Sequence, residues 1–329
     1  MRTNVLGLGE TFTDPMWRVT VKLSPVEIRL LRTAPLRRLH FIAHGGASTV
    51  STLQSYSRLE HTLGVLALAV HFRPEDEPLR VAALLHDIGH LPLSHTIEGI
   101  AGLDHHAIGM ELLRAEPIRT LLAAHRIDLD AVAAVLTGPS GSPLRNGSGL
   151  LHLDHLDSFV RSGRDAGRLD VDPAALLHRL DLHEDVISTD RETAGVLVDL
   201  IAAEARLHTS WDNVGPISVV RRLARRLLDS GTVEAGRLAR MTDAELWAAF
   251  DAVEATRTES AMVRYELHRL RVVAGEAAGA PAAWDFSLRK RYRSAPLVHG
   301  RPPAMAAPEL AAALESLIEL PTSFRVWWD

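Results

Sequence analysis

The sequence predicts an all-α fold, with one small β hairpin near its start and a less regular C-terminal lobe. Helix-start signals recur along the 329 residues. Ser24-Pro25-Val26-Glu27 combines an N-cap serine, a proline at the first helical position and an acid at the third, and Thr242-Asp243-Ala244-Glu245 repeats the capping box. One stretch, Arg18–Lys22, alternates in the manner of a short strand or hairpin arm. These patterns together favour a chain that is nearly all helix.

The predicted helices follow one another in order, with prolines at several of their ends. The first stops before Pro35, the one that begins at Val81 stops before Pro92, and the others lie at 36–41, 57–73, 104–115, 117–125, 128–135, 150–161, 172–181, 190–208, 217–228, 242–250 and 259–273. Residues rich in glycine, serine or proline predict loops at 45–57 and 137–149, a break at Gly215-Pro216 and a linker at 275–283. The arginine doublets within 217–228 are expected to face solvent. We divide the chain into a core, residues 1–235, and a C-terminal lobe, residues 236–329.

Composition excludes several classes of function. The chain has no cysteine, which excludes disulfides, zinc–thiolate sites and thiol catalysis. Its net charge of −5 gives no basic footprint for bulk nucleic-acid binding. The first residues lack the pattern of a signal peptide, and no apolar run reaches the roughly 18 residues of a membrane span. We therefore expect a cytoplasmic protein with no membrane partner.

Histidine is concentrated in one part of the sequence. Ten of the 17 histidines lie between His61 and His155. The stretch Val81–His95, VAALLHDIGHLPLSH, predicts an apolar helix on which His86 and His90 share a face, with Asp87 beside them. Imidazole and carboxylate groups are costly to bury unless they are paired or hold a metal. This stretch therefore predicts a metal site.

The candidate metal ligands come in the order His61, His86, Asp87 and Asp154, each on a predicted helix with apolar neighbours. Two imidazoles and two carboxylates suit one divalent transition metal, Mn, Fe, Co, Ni or Zn. Mg²⁺ accompanying substrate phosphates is an additional expectation. Such a set leaves open positions for water and a substrate oxygen. A second metal that recruits His105 and His125 is the alternative.

The same residues resemble a known family. The order of the four ligands, with LLHDIGHLPLSH at 84–95, resembles the HD-domain phosphohydrolases, and more closely their deoxynucleoside-triphosphate triphosphohydrolase branch. Four further segments are similar to motifs of that branch: Leu36–Leu39 with Gly45-Gly46, Ser57–Val65, Leu153–Asp157 with Arg161, and Met241–Glu245. The resemblance covers roughly residues 14–250. It implies a helical HD-domain core over residues 1–235 and a metal-dependent phosphohydrolase that acts on nucleotides, and it implies a homo-oligomer.

The resemblance also implies roles for individual residues. Arg58, one turn before His61, would contact phosphate, and His95 would also bind the substrate. His90 and Glu98 would position the attacking water or the scissile phosphate. His105 would protonate the leaving oxygen, a role that suits imidazole. The implied reaction cleaves a (deoxy)nucleoside triphosphate to nucleoside and triphosphate.

The chain departs from that branch at two places. Ser158 stands where the branch commonly has a tyrosine that packs on the sugar, and residues 207–214 read LHTSWDNV in place of the usual set of Arg, Tyr, His and Lys. Two alternatives therefore stay open. One is a nucleoside monophosphatase or phosphodiesterase of the same fold. The other is a nucleotide-sensing regulatory protein with weak or no turnover.

Overall fold

The computed structural model describes residues 4–137, 141–146, 149–275, 282–288 and 291–329. In chain order, the helices among these residues are α1 (Pro25–Leu30), α2 (Ala34–Arg38), α3 (Arg58–Phe72), α4 (Glu77–Leu85), α5 (His105–Arg114), α6 (Ile118–Ala124), α7 (Leu129–Thr137), α8 (Leu153–Asp165), α9 (Pro173–Leu177), α10 (Arg191–His208), α11 (Trp211–Asp229), α12 (Ala235–Ala239), α13 (Asp243–Ala252), α14 (Glu254–Tyr265), α15 (Pro303–Ala306) and α16 (Pro308–Ser316). The strands are β1 (Thr11–Thr13), β2 (Thr20–Lys22), β3 (Leu180–His183), β4 (Val186–Thr189), β5 (Leu270–Ala274), β6 (Trp284–Ser287), β7 (Leu297–Val298) and β8 (Ser323–Trp328). The predicted all-α fold with small strand additions is confirmed.

One apolar core surrounds α3. This helix packs against α4 and α8, and α8 packs against α10. The capping box of Ser57 and Glu60 fixes where α3 begins. Most of the helix is buried on all sides, as expected for a helix whose apolar residues are not confined to one stripe. Any polar side chain on its inner faces, His61 included, is therefore removed from water and needs a partner.

A second apolar core surrounds α11. It includes side chains of α13, α14, β5 and β8, and it also takes in Leu91, Leu93 and Ile97, which follow α4 in the chain. The segment after α4 is thus anchored on the second core, whereas α4 itself belongs to the first. The polar residues between Leu85 and Leu91 are held where the two cores meet.

The strands form three small sheets, more than the single hairpin of the prediction. The β1–β2 hairpin is confirmed, with Phe12 opposite Val21. β4 pairs with β3 and β7, and β8 lies between β5 and β6. The helices predicted at 172–181 and 259–273 were too long, since they end at Leu177 and Tyr265 and strands follow. The local sequence of β5 does not show its pairing partner, β8, which lies more than 40 residues away.

The predicted break at Gly215-Pro216 was wrong, because both residues lie inside α11. A proline inside a helix has no N–H to donate to the carbonyl four residues earlier. Here that carbonyl belongs to Asp212, and it accepts a hydrogen bond from the Ser51 hydroxyl at 2.6 Å. A side chain from another part of the fold therefore satisfies the group that the proline leaves without a helical partner.

The helix predicted from Val81 to the stop at Pro92 also ends earlier than expected. α4 stops at Leu85 and His86 is its C-cap, so His86 and His90 do not share a helix face. A turn follows, in which the His90 N–H donates to the Asp87 carbonyl at 2.9 Å. Gly89 lies so close to α5 that a Cβ there would come within 2.1 Å of the His105 carbonyl. This contact with α5 is not visible in local helical spacing.

The remaining predictions concern two helix starts, two loop segments and the division of the chain. The capping boxes at Ser24 and Thr242 are confirmed. The loop at 137–149 and the linker at 275–283 fall partly outside the described residues. The division of the chain at residue 235 stays a prediction. β7, from the predicted lobe, pairs in parallel with β4 of the predicted core.

Candidate metal centre

The four predicted metal ligands meet at one point of the fold, although they come from three separate segments. His61 lies on α3, His86 and Asp87 follow α4, and Asp154 lies in the first turn of α8. The His61 Nε2 atom is 3.1 Å from Asp154 Oδ1 and 3.3 Å from His86 Nε2. Asp87 Oδ2 is 3.8 Å from His61 Nε2, and Asp87 Oδ1 is 3.5 Å from His86 Nε2.

Three of these four distances fit ligands that share one cation, and the separation of His61 from Asp87 is longer. Nitrogen and oxygen ligands about 2.0–2.2 Å from a metal ion lie roughly 3.0–3.5 Å from one another in octahedral or tetrahedral geometry. His61, His86 and Asp154 form a compact group of possible ligand atoms. The second nitrogen of His86 is also engaged, since Nδ1 lies 2.8 Å from the Ala83 carbonyl. That contact leaves Nε2 facing the other ligands, as expected for a metal-bound histidine.

The electrostatics of the site favour positive charge. Burial raises the pKa of Asp154, but the His61 hydrogen bond and nearby His86 outweigh it and hold that pKa well below its usual range. Burial lowers the pKa of His61, but hydrogen bonds to Asp154 and Asp157 outweigh it and raise the pKa to about 9. Carboxylates that attract a proton this strongly to a buried imidazole would also attract a divalent cation.

Asp157 supports His61 from behind and was not among the predicted site residues. It accepts from His61 Nδ1 at 2.8 Å and from the indole N–H of Trp17 at 2.7 Å. Arg161 donates to both of its carboxylate oxygens and also to Asp14. Asp157 and Arg161 are fully buried. A carboxylate on the second nitrogen of a ligand histidine fixes its orientation, so Asp157 holds His61 Nε2 toward the site.

A second polar cluster lies beside the first. Glu98 receives hydrogen bonds from two imidazoles, His95 Nδ1 at 2.7 Å and His105 Nδ1 at 2.5 Å. The ring of His90 stacks on that of His105 at 4.2 Å, and its Nε2 lies 3.3 Å from Asp87 Oδ1. Burial raises the pKa of Glu98, but its two histidine partners outweigh this and hold it well below its usual range. Glu98 is therefore a carboxylate that orients both rings.

Comparisons with known proteins agree with this geometry. A family model of the HD domain matches residues 58–155, a span that contains every predicted site residue. Residues 58–155 therefore match an HD domain, and the chain is similar to metal-dependent phosphohydrolases. It is 29% identical over 259 residues to the metal-dependent phosphohydrolase cns2 of Cordyceps militaris, a match that covers 71% of each chain. It is 35% identical over 94 residues to the deoxynucleoside triphosphate triphosphohydrolase SAMHD1 of Homo sapiens, covering 24% of this chain and 15% of SAMHD1.

A solved structure extends the likeness of this HD protein over the whole fold. A phosphohydrolase from Bacteroides thetaiotaomicron superposes with a TM-score of 0.67 at 16% identity, covering 97% of this chain and 99% of that one. This likeness concerns the fold. Among the described residues of the HD protein, no helix is long and apolar enough to cross a membrane.

The arginine of the HD site, Arg58, is engaged within the protein. Its Nη1 donates to Asp87 Oδ2 at 2.9 Å, and its Nε donates to the Ser94 hydroxyl at 2.9 Å. Both side chains of the Arg58–Asp87 pair are buried. Arg58 therefore supplies positive charge directly beside the predicted metal ligands, where a phosphate oxygen would also approach.

A cavity of about 510 Å³ opens above the HD site. All the predicted site residues except the fully buried His61 line it. The wall also contains residues that were not among the predicted site residues, such as His44, Glu204, Arg221 and Tyr292. His44 directly precedes Gly45-Gly46, which is similar to a motif of the family, and this position could have marked His44 as a site residue. The other three come from distant segments with no local motif. Arg221 was expected to face solvent, but it donates to the carbonyls of Thr96 and Glu98.

Replacing Asp157 of the HD protein by asparagine is expected to weaken metal binding about 10- to 100-fold, because His61 loses the carboxylate that orients it. The free energy of unfolding should fall by about 3 kcal/mol, because Arg161 loses a buried ionic partner. Metal titration and denaturant unfolding measure the two effects. Trp17→Phe is the comparison variant, since it removes the indole hydrogen bond to Asp157 but leaves His61 and Arg161 paired with that carboxylate. Unchanged metal affinity in Asp157→Asn would refute the supporting role.

Proposed function

We propose that this phosphohydrolase acts on nucleotides and cleaves a (deoxy)nucleoside triphosphate to nucleoside and triphosphate. The observation that carries the proposal is the arrangement of two clusters on one cavity. One cluster, His61, His86 and Asp154 with Asp87 beside them, could hold a divalent cation. The other, around Glu98, lies directly beside it. The partial similarity to SAMHD1 supports the triphosphate substrate.

The chemistry divides between the cation and the side chains. A bound divalent cation lowers the pKa of water and polarises a phosphoryl oxygen. Arg58 balances negative charge that builds up on the phosphate. Burial and the Arg58 charge hold the pKa of His90 well below its usual range, so its neutral imidazole can hydrogen-bond the attacking water. The Nδ1–H of His105 donates to Glu98, so it is the imidazolium form of His105 that carries a proton on Nε2. That proton passes to the leaving oxygen as the phosphorus–oxygen bond breaks, and His105 is left neutral.

Hydrolysis of a nucleoside monophosphate is the second candidate, and one observation favours it. In the described part of the cavity wall the arginines are Arg58, Arg145 and Arg221. Arg58 is paired with Asp87, and Arg221 donates to two backbone carbonyls. A triphosphate carries more charge than a monophosphate and gains more from additional cationic partners. The carboxylate of Glu204 on the same wall adds negative charge.

Product analysis separates these reactions. The purified protein is incubated with each candidate metal and with ribo- and deoxynucleoside tri- and monophosphates and cyclic nucleotides. Triphosphate and nucleoside in equal amounts are the expected products. Inorganic phosphate from monophosphates alone would replace the first candidate by the second. Tight nucleotide binding without any metal-dependent product would instead favour a nucleotide sensor.

A further inference from the structure

Residues 239–243, the segment that joins α12 to α13, contact the turn that follows the metal ligands. Arg38 of α2 forms one side of this contact. Its guanidinium donates to the Ala239 carbonyl at 2.9 Å, to the Arg240 carbonyl at 2.9 Å and to the Met241 carbonyl at 2.5 Å. The remaining nitrogen, Nη1, donates to the carbonyl of His90 at 2.7 Å. One planar cation thus joins this segment to a residue of the cavity.

Asp243 forms the other side. Its Oδ2 accepts the Ala43 N–H at 2.8 Å, and its Oδ1 accepts the Leu93 N–H at 2.6 Å. The carboxylate lies in the first turn of α13, where the helix dipole favours negative charge. Burial raises its pKa to about 6, so Asp243 is ionised at pH 7.5 and both oxygens accept hydrogen bonds.

The turn that Asp243 contacts has a backbone that needs support. Leu93 and Ser94 are consecutive non-glycine residues with φ of 53° and 54°. Such left-handed conformations cost about 1–2 kcal/mol per residue and persist when surrounding contacts enforce them. The Ser94 hydroxyl donates to the Ala43 carbonyl at 2.6 Å and accepts from Arg58 Nε. Contacts therefore run from Asp243 through this turn to Arg58 and Asp87.

We propose that Arg38 and Asp243 are positioning residues for hydrolysis, which hold the turn at residues 90–94 so that His90 and Arg58 face the substrate. The inference rests on the proposed phosphohydrolase function and assigns part of it to residues outside the cavity. His61, His86 and Asp154 are held by other contacts. We call the contacts of Arg38 and Asp243 with residues 90–94 the clamp. It reaches the ligand Asp87 through Arg58 and His90, so we expect its loss to displace His90 and Arg58 while the other three ligands keep the metal.

Hydrogen exchange tests the clamp without reference to any substrate. Asp243→Ala should speed amide exchange in residues 91–96 about tenfold, since removing a hydrogen bond to a buried N–H costs on the order of 1.4 kcal/mol. Glu245→Ala is the matched control, because Glu245 is also acidic and in the first turn of α13, but its hydrogen bonds within the described part of the chain come from Thr242. Unchanged exchange of residues 91–96 in Asp243→Ala would refute the role of Asp243 in holding this turn. This outcome does not depend on whether the protein hydrolyses a nucleotide.

Kinetics test the consequence for the reaction. Asp243→Ala is expected to lower kcat about 10- to 100-fold with metal content unchanged, because small misplacements of catalytic groups have effects of this size. The assays are run at a temperature below the unfolding transition of each variant. If Asp243→Ala does not fold, Asp243→Asn, which keeps one acceptor oxygen, takes its place. A kcat within twofold of wild type, or a loss equal to that of Glu245→Ala, overturns the positioning role. Loss of metal in proportion to activity overturns it too.

Discussion

The double variant His86→Ala, Asp87→Ala is expected to lose its bound metal and to hydrolyse substrate at least about 10³-fold more slowly. The two changes remove two of the four converging ligands, and the remaining His61 and Asp154 cannot complete a coordination shell. A divalent cation supplies several kcal/mol of transition-state stabilisation, which corresponds to a rate effect of this size. Elemental analysis of purified protein and initial rates measure the two effects.

A matched control shows whether the loss of metal is specific to the ligand positions or follows from removing any histidine. His71 lies on α3, the same helix as His61, but it is exposed and nearly three helical turns after His61. His71→Ala should keep the metal content and the rate of wild type. Full metal content in the double variant would show that the metal is bound elsewhere and that the assigned ligands are wrong.

Glu98→Gln has the second largest expected effect, a fall in kcat of about 10²- to 10⁴-fold with metal content unchanged. Glu98 accepts hydrogen bonds from His95 and His105, and glutamine offers one acceptor oxygen and one donor in their place. One of the two imidazoles must then turn or change tautomer, and His105 loses the orientation that proton transfer to the leaving oxygen needs. Steady-state kinetics with metal analysis of the same sample provides the measurement.

The control for Glu98 is an acidic residue close by that makes no contact with the cluster. Glu111 is exposed on α5, the helix that begins with His105. Glu111→Gln should leave kcat unchanged. If Glu98→Gln retains kcat within about threefold, the acid–base assignment of this cluster is refuted, whereas the metal centre is unaffected.

Local signals in the sequence predicted the helices that depend on their own residues. Ser24 with Glu27 and Thr242 with Glu245 are capping boxes in the structure because the interacting groups lie three residues apart. Strands at 180–183 and 270–274 were missed for the opposite reason. β5 becomes a strand by pairing with β8, and no local pattern in Leu270–Ala274 records where that partner is.

The sequence by itself predicted the candidate metal ligands and the resemblance to the HD domain. The types of these residues and their order along the chain are enough for such a prediction, because only a few kinds of side chain bind a divalent cation. The tertiary structure decided how they are held. His86 ends a helix, Asp157 supports His61 from a distance of 96 residues, and Asp243 fixes a strained turn 150 residues away. These contacts join distant segments, and their geometry exists only once both apolar cores have formed.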